Sequence, residues 1–158
     1  MEPKFIVDNN AGKLAKWLRI MGYDTLLFKG EDDGRMITIA LAEGRVILTK
    51  DTQVLKRRVV TTGRLKVVFI EDDDPKAQLR QIVKEFGLGC FKPFSLCLEC
   101  NETLLTRNKE EVHNLVPPYV FKTQNQYMEC PKCHRIYWRG THWQAMAKKL
   151  QEICEGAK

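Results

Sequence analysis

Two groups of residues in this chain have the types and spacing to do chemistry. The first is four cysteines in two Cys-x-x-Cys pairs, "CLEC" (Cys97, Cys100) and "CPKC" (Cys130, Cys133). The second is a set of aspartates, Asp8, Asp33 and Asp51, each next to a stretch patterned as a strand or a helix. Each cysteine turn can present two sulfurs to one metal, and Zn²⁺ in closed structural sites takes four such thiolates in a tetrahedron. With all four ligands supplied by protein, no position is left open for catalysis. Without a secretory leader, such pairs read as a metal site and not as disulfides. The spacer from Cys100 to Cys130 holds 29 residues, long for a zinc finger and compatible with extended β-hairpins. His134 and His142 lie nearby, but four thiolates need no help from them. Cys90 and Cys154 are left over as spare or buried thiols.

The aspartates carry a different chemistry. Carboxylates brought close together repel, and a divalent cation such as Mg²⁺ or Mn²⁺ makes their clustering tolerable. A cation held this way can orient a water and stabilise a phosphodiester transition state. Each acid also has a simpler reading. Asp33 or Asp32 can cap a helix, and Asp51, at the end of "VILTKD", can do the same.

The elements that would position these groups follow from the apolar pattern. "KFIV" is a short strand ending at Asp8. In "AGKLAKWLRIMG", Leu14, Trp17, Leu18 and Met21 fall at helical spacing, which places Trp17 in the core. "DTLLF", "RVILT" and "LKVVFI" are further strands. "GRMITIALAEG", "DTQVLKRRVV" and "DDDPKAQLRQIVKEFG" are helices, with Gly44 and Gly87 as stops and Pro75 in a first turn. Apolar strands alternating with helices predict a parallel sheet covered on both faces. Right-handed crossovers then put all strand C-termini, and the acids on them, along the edge where open α/β sheets bind ligands.

Near "GLGCFKPFS" the pattern breaks, and Gly87, Gly89 and Pro93 mark a linker. The expected division is residues 1–89 as one unit and 90–158 as a four-cysteine zinc ribbon with a terminal helix. In the second unit "LLTR" and "IYWR" read as strands. "HWQAMAKKLQEIC" reads as a helix with Trp143, Met146, Ala147, Leu150 and Cys154 on one face.

The 158 residues carry a formal charge of +6, which favours a polyanionic partner, nucleic acid first. Lys13, Lys16 and Arg19 form a stripe on the first helix. Lys50 flanks Asp51, and Lys56, Arg57 and Arg58 cluster on the third helix. These are the candidate contacts to a nucleic-acid backbone. Tyr137, Trp138 and Trp143 lie among Arg135, Arg139 and Lys148, an interleaving that suits base stacking or packing between the two units. No apolar run is long enough to span a membrane and the N-terminus lacks a leader pattern, so a cytoplasmic location is expected. The oligomeric state is not encoded in any pattern found.

"DDGRMITIALAEGRVILTKD" resembles the C-terminal signature of PIN-domain ribonucleases, matched by Asp33, Ala40, Gly44 and "LTKD". "FIVDNNAGKLAKWLRIMGYDT" is similar to the PIN-like RNase domain of the Mut-seven C-terminal family, which also carries a zinc ribbon after the nuclease fold. The likeness covers nearly the whole chain. It implies an α/β PIN-like parallel sheet flanked by helices, metal-dependent cleavage of RNA and a structural zinc. On this resemblance Asp8, Asp33 and Asp51 are the catalytic Mg²⁺ or Mn²⁺ ligands. The fuller PIN pattern has a fourth acid, for which Asp32, Glu43, Asp24 and Glu71 are the candidates. The implied reaction is endonucleolytic hydrolysis, with the ribbon helping to hold RNA. The alternative is a non-catalytic RNA- or ribosome-binding module on the same fold. A receiver-like reading, with Asp51 as phosphate acceptor, lacks the acidic pair after the first strand and the lysine after a fifth.

Overall fold

A computed structural model describes residues 2–89 and 95–156. Cys90 and the linker residue Pro93 lie outside them. Four strands, β1 (Lys4–Asp8), β2 (Thr25–Phe28), β3 (Arg45–Thr49) and β4 (Val67–Phe69), form a parallel sheet in the order β2-β1-β3-β4. Phe5 pairs in register with Thr25 on one side and Val46 on the other, and Ile47 pairs with Val67. The expected parallel α/β sheet is thus the observed one.

The period-2 alternation of a strand sorts the core into two layers. Phe5, Val7 and Leu48 face α1 (Gly12–Ile20) and α5 (Pro75–Phe86), where Leu14, Leu18, Leu79 and Ile82 are fully buried. Ile6 and Ile47 face the other way, toward Met36, Ile37 and Ala40 of α2 (Asp33–Glu43). Trp17 is partly buried and packs against the first of these layers.

The third helix departs from expectation. Residues 51–60 form two single turns, α3 (Thr52–Leu55) and α4 (Arg58–Thr61), separated by Arg57 in an extended conformation. The run of Val59, Val60, Thr61 and Thr62 is β-branched and loses side-chain freedom in a helix, so propagation past one turn is weak. Only Val54, fully buried under the sheet, anchors the first turn.

The cysteine-bearing unit is a three-stranded antiparallel sheet, β5 (Leu105–Arg107), β6 (Tyr127–Glu129) and β7 (Ile136–Tyr137), in that order. "LLTR" and "IYWR" supply β5 and β7 as expected. Strand β6 and the short helix α6 (Pro118–Thr123) have no counterpart in the sequence reading. They fill the long spacer and build a small core of their own from Val112, Val116, Val120 and Tyr127.

The terminal helix α7 (Thr141–Gly156) begins beside this unit and ends in the other. Leu150, Ile153 and Cys154 are buried in the layer shared by α1 and α5. The sequence grouped α7 with the ribbon. Its last two turns instead complete the core of the parallel sheet, because their apolar positions face α5.

Candidate functional site

The C-terminal edge of the parallel sheet gathers three carboxylates from three elements. Asp8 is the last residue of β1, Asp33 the first of α2, and Asp51 follows β3 by two residues. Thr49, the fully buried last residue of β3, ties two of them together. Its hydroxyl donates to Asp8 Oδ2 at 2.8 Å and accepts the Asp51 amide at 3.0 Å. Sequence reasoning quoted this threonine within "LTKD" but gave it no role. Its position two residues before an acid at a strand end is the available signal.

The capping ambiguity between Asp32 and Asp33 resolves cleanly. Asp32 is the N-cap, accepting the Gly34 amide at 2.9 Å and the Arg35 amide at 3.4 Å. Asp33 is left to face the other acids. Burial, then the Asp51 carboxylate beside it and the charge of Asp8, push the Asp33 carboxyl above its ordinary range, while Arg57 opposes the rise. Asp51 caps α3 through Gln53 N at 2.9 Å with Oδ1, which leaves its second oxygen for the site. Three half-buried carboxylates thus share one edge of the sheet, each from a different element.

The further acids are dispersed. Glu43 and Asp24 lie at the opposite, N-terminal edge, both bound to Arg45 at 2.9 and 2.8 Å. Glu43 is therefore corrected as a fourth ligand, since parallel pairing holds the start of β3 a full strand away from its end. Asp32 accepts both of its cap bonds on Oδ1. Glu71, just beyond β4, is exposed on the same edge as the three aspartates.

The basic residues divide in the same way. Lys13, Lys56, Arg57 and Arg58 are exposed. Lys16 is exposed but pairs with Glu99 of the cysteine unit at 3.2 Å. Arg19 departs from the expected stripe: it is buried, donating from Nε to Thr25 O at 2.8 Å and from Nη1 to Leu98 O at 2.7 Å. It fastens the two units together and does not face solvent. Lys50 ion-pairs with Asp73 and donates to Asp72 O at 3.1 Å, so it turns to the β4–α5 connection and not to the acids.

The four paired cysteines converge. Their sulfurs all lie within 4.8 Å of one another, the only such set of three or more potential ligands among the described residues. Cys97 Sγ and Cys133 Sγ are 3.6 Å apart, against about 3.8 Å for two sulfurs of a tetrahedron with Zn–S bonds of about 2.3 Å. Both pairs end in the same turn. Asn101 and His134, each following the second cysteine of its pair, have φ of +63°, and their amides donate to the carbonyls of Cys97 and Cys130 at 2.9 Å. The amides of Lys132 and Cys133 point at Cys130 Sγ at 3.4 Å. Burial would raise the Cys97 thiol, but hydrogen bonds from the Tyr137 hydroxyl and from nearby amides outweigh it and bring Cys97 down to about 7. Burial and the neighbouring sulfurs push Cys100 up to about 12. Four thiols this close cannot all ionise unaided, and a divalent cation removes that conflict, so the cluster could hold a metal such as zinc.

Fold and sites together define a mixed α/β protein with acids gathered at the ligand edge of a parallel sheet and a separate four-cysteine, metal-capable cluster. The family model described as the Mut7-C RNAse domain matches residues 3–150, and the chain belongs to that family. Neither the curated proteins nor the solved structures yield a match.

Proposed function

We propose that this protein is a metal-dependent endoribonuclease of PIN-like design, acting in the cytoplasm. The observation that carries this reading is the convergence of Asp8, Asp33 and Asp51 at one sheet edge, in a chain of an RNase-domain family. The three aspartates would hold Mg²⁺ or Mn²⁺. A cation bound there supplies charge neutralisation and Lewis acidity toward a phosphodiester and its attacking water. Thr49 orients Asp8 through its hydroxyl and positions the Asp51 backbone. Arg57, the cation that already acts on Asp33, and exposed Lys13, Lys56 and Arg58 would receive RNA phosphates. The reaction forms a bond from water oxygen to phosphorus and breaks a phosphorus–oxygen ester bond, with no covalent link to the protein. The four cysteines would bind a structural Zn²⁺, and the unit around it would help to hold the RNA.

The test is incubation of the purified chain with single-stranded and structured RNA, with and without Mn²⁺. We expect internal cuts that require the cation and fall at least about a hundredfold in Asp8→Asn and Asp51→Asn. Cutting that survives the double variant would overturn the assignment. The alternative, a non-catalytic RNA- or ribosome-binding module, is favoured by one observation, the placement of Glu43 and Asp24 at the far edge. Equal RNA binding by wild type and Asp51→Asn, with neither cutting under any cation, would select it.

A further inference from the structure

A cavity of about 590 Å³ opens at the end of the molecule remote from the three aspartates. Its floor is the C-terminal end of α1 at Arg19 and Ile20, and its walls come from α6, β7 and the first turn of α7. Helix α1 starts beside Asp8 and has 9 residues, so about 13 Å of helix separates the acid edge from the cavity. The volume lies within the range of small-ligand sites, about 300 to 1,000 Å³.

The lining is aromatic and lacks carboxylates. Trp138, Trp143, Tyr137 and Tyr119 contribute rings, and no Asp or Glu is among its described lining residues, while Arg19, Arg139 and His142 are. Tyr119 is 70% exposed, a large ring left out of any core. The Arg139 guanidinium lies 5.2 Å from the centroid of the Trp143 ring, within cation–π reach, and both residues line the cavity. Gln124 Nε2 donates to Arg139 O at 3.1 Å, and the Gln124 amide also lines the cavity. Flat rings, a guanidinium beside one of them, a side-chain amide and no lining carboxylate among the described residues suit a planar heterocycle carried on a phosphate chain.

We propose that this cavity binds an unpaired nucleotide of single-stranded RNA by base stacking, as an anchor distinct from the acid edge. The inference rests on RNA being the substrate, as the proposed nuclease function has it. A strand engaged at both places runs over the exposed side of α1, past Lys13, and the site of cutting is then set at a fixed interval of a few nucleotides from the anchored base.

The experiment uses the full chain in the Asp8→Asn background, a short fluorescein-labelled oligouridylate, and the same length of RNA as a duplex. Trp138 and Trp143, two of the chain's three tryptophans, line the cavity, so the single strand should quench tryptophan fluorescence and the duplex should not. Tyr119→Ala, at an exposed position, should weaken oligouridylate binding about tenfold, and Trp143→Leu by at least as much. Unchanged affinity in both variants, absence of quenching, or preference for the duplex would overturn the proposal. Cleavage by the otherwise wild-type chain, measured separately with Mn²⁺, keeps the two readings apart. Quenching that depends on Tyr119 without any cutting removes the nuclease reading and leaves the anchor. Cutting without quenching does the reverse.

Discussion

Asn101 donates to Asp24 Oδ1 at 2.6 Å while its own side-chain oxygen accepts the Thr25 amide at 2.9 Å. The residue that closes the first cysteine turn is thus the residue that seals the N-terminal edge of β2. The same carboxylate accepts from Arg45 at 2.8 Å, so the metal-capable turn, the sheet edge and a buried arginine form one network.

Replacing Asn101 by glycine keeps the left-handed turn without strain and removes only the side-chain bonds. The Thr25 amide, on a fully buried residue, then loses its partner. We expect a loss of about 1 to 3 kcal/mol in urea unfolding, with the slope unchanged.

Removing metal should reach beyond the cysteine unit. The turn of Cys97 and Cys100 carries Leu98 O and Asn101, which hold Arg19 and Thr25, so a metal bound at the four sulfurs would fix those contacts as well. We expect one zinc per chain by elemental analysis, and a chelator-induced fall in melting temperature that also weakens amide protection in β2. The Cys100→Ser protein should reproduce that fall without chelator.

Asp24 gives stability a defined pH dependence. Burial alone would raise its carboxyl, but hydrogen bonds from Arg45 and Asn101 prevail and hold it below the ordinary value. A depressed folded pKa means that the ionised form is favoured by folding. The contribution is present above the unfolded carboxyl range, about 3.9, and is lost as pH falls through the lower folded value. Asp24→Asn should therefore narrow the stability gap between neutral and acid pH, read as melting temperature at each pH.

At the acid edge, function and stability should pull apart. Asp33 sits against Asp51 and Asp8, so Asp33→Asn removes like-charge repulsion. Without divalent cation the variant should be more stable than wild type, on the order of 1 kcal/mol for a water-screened pair. Added Mn²⁺ should raise the melting temperature of wild type and leave the variant unmoved.

Thr49→Val tests positioning without touching a ligand. It deletes the bond to Asp8 Oδ2 and the acceptor for the Asp51 amide in a fully buried place. Mn²⁺ affinity, measured calorimetrically, should fall about 10- to 100-fold. Excess Mn²⁺ should restore cleavage in Thr49→Val but not in Asp51→Asn.

Local and periodic features were legible in the sequence by itself. Continuous apolar strands separated by helices require a parallel sheet, and that sheet puts Asp8 and Asp51 on one edge whatever the side chains do afterwards. The cysteine spacing announces its own cluster, because two sulfurs three residues apart share a turn. Tertiary structure decided what depends on residues distant in the chain. Asp33 is released to the site only because Asp32 takes the cap, two roles that adjacent identical residues cannot be assigned by pattern. Arg19 and Lys16 have the same charge and helical face as Lys13. Only the docking of the cysteine unit, through Leu98 and Glu99, turns one into a buried tie and the other into an ion pair. Glu43 lost its candidacy to Arg45 and the strand register, and α7 left its own unit for the larger core. In each case a long-range contact outweighed a local preference, because burial and paired charge are set by what packs from elsewhere in the chain.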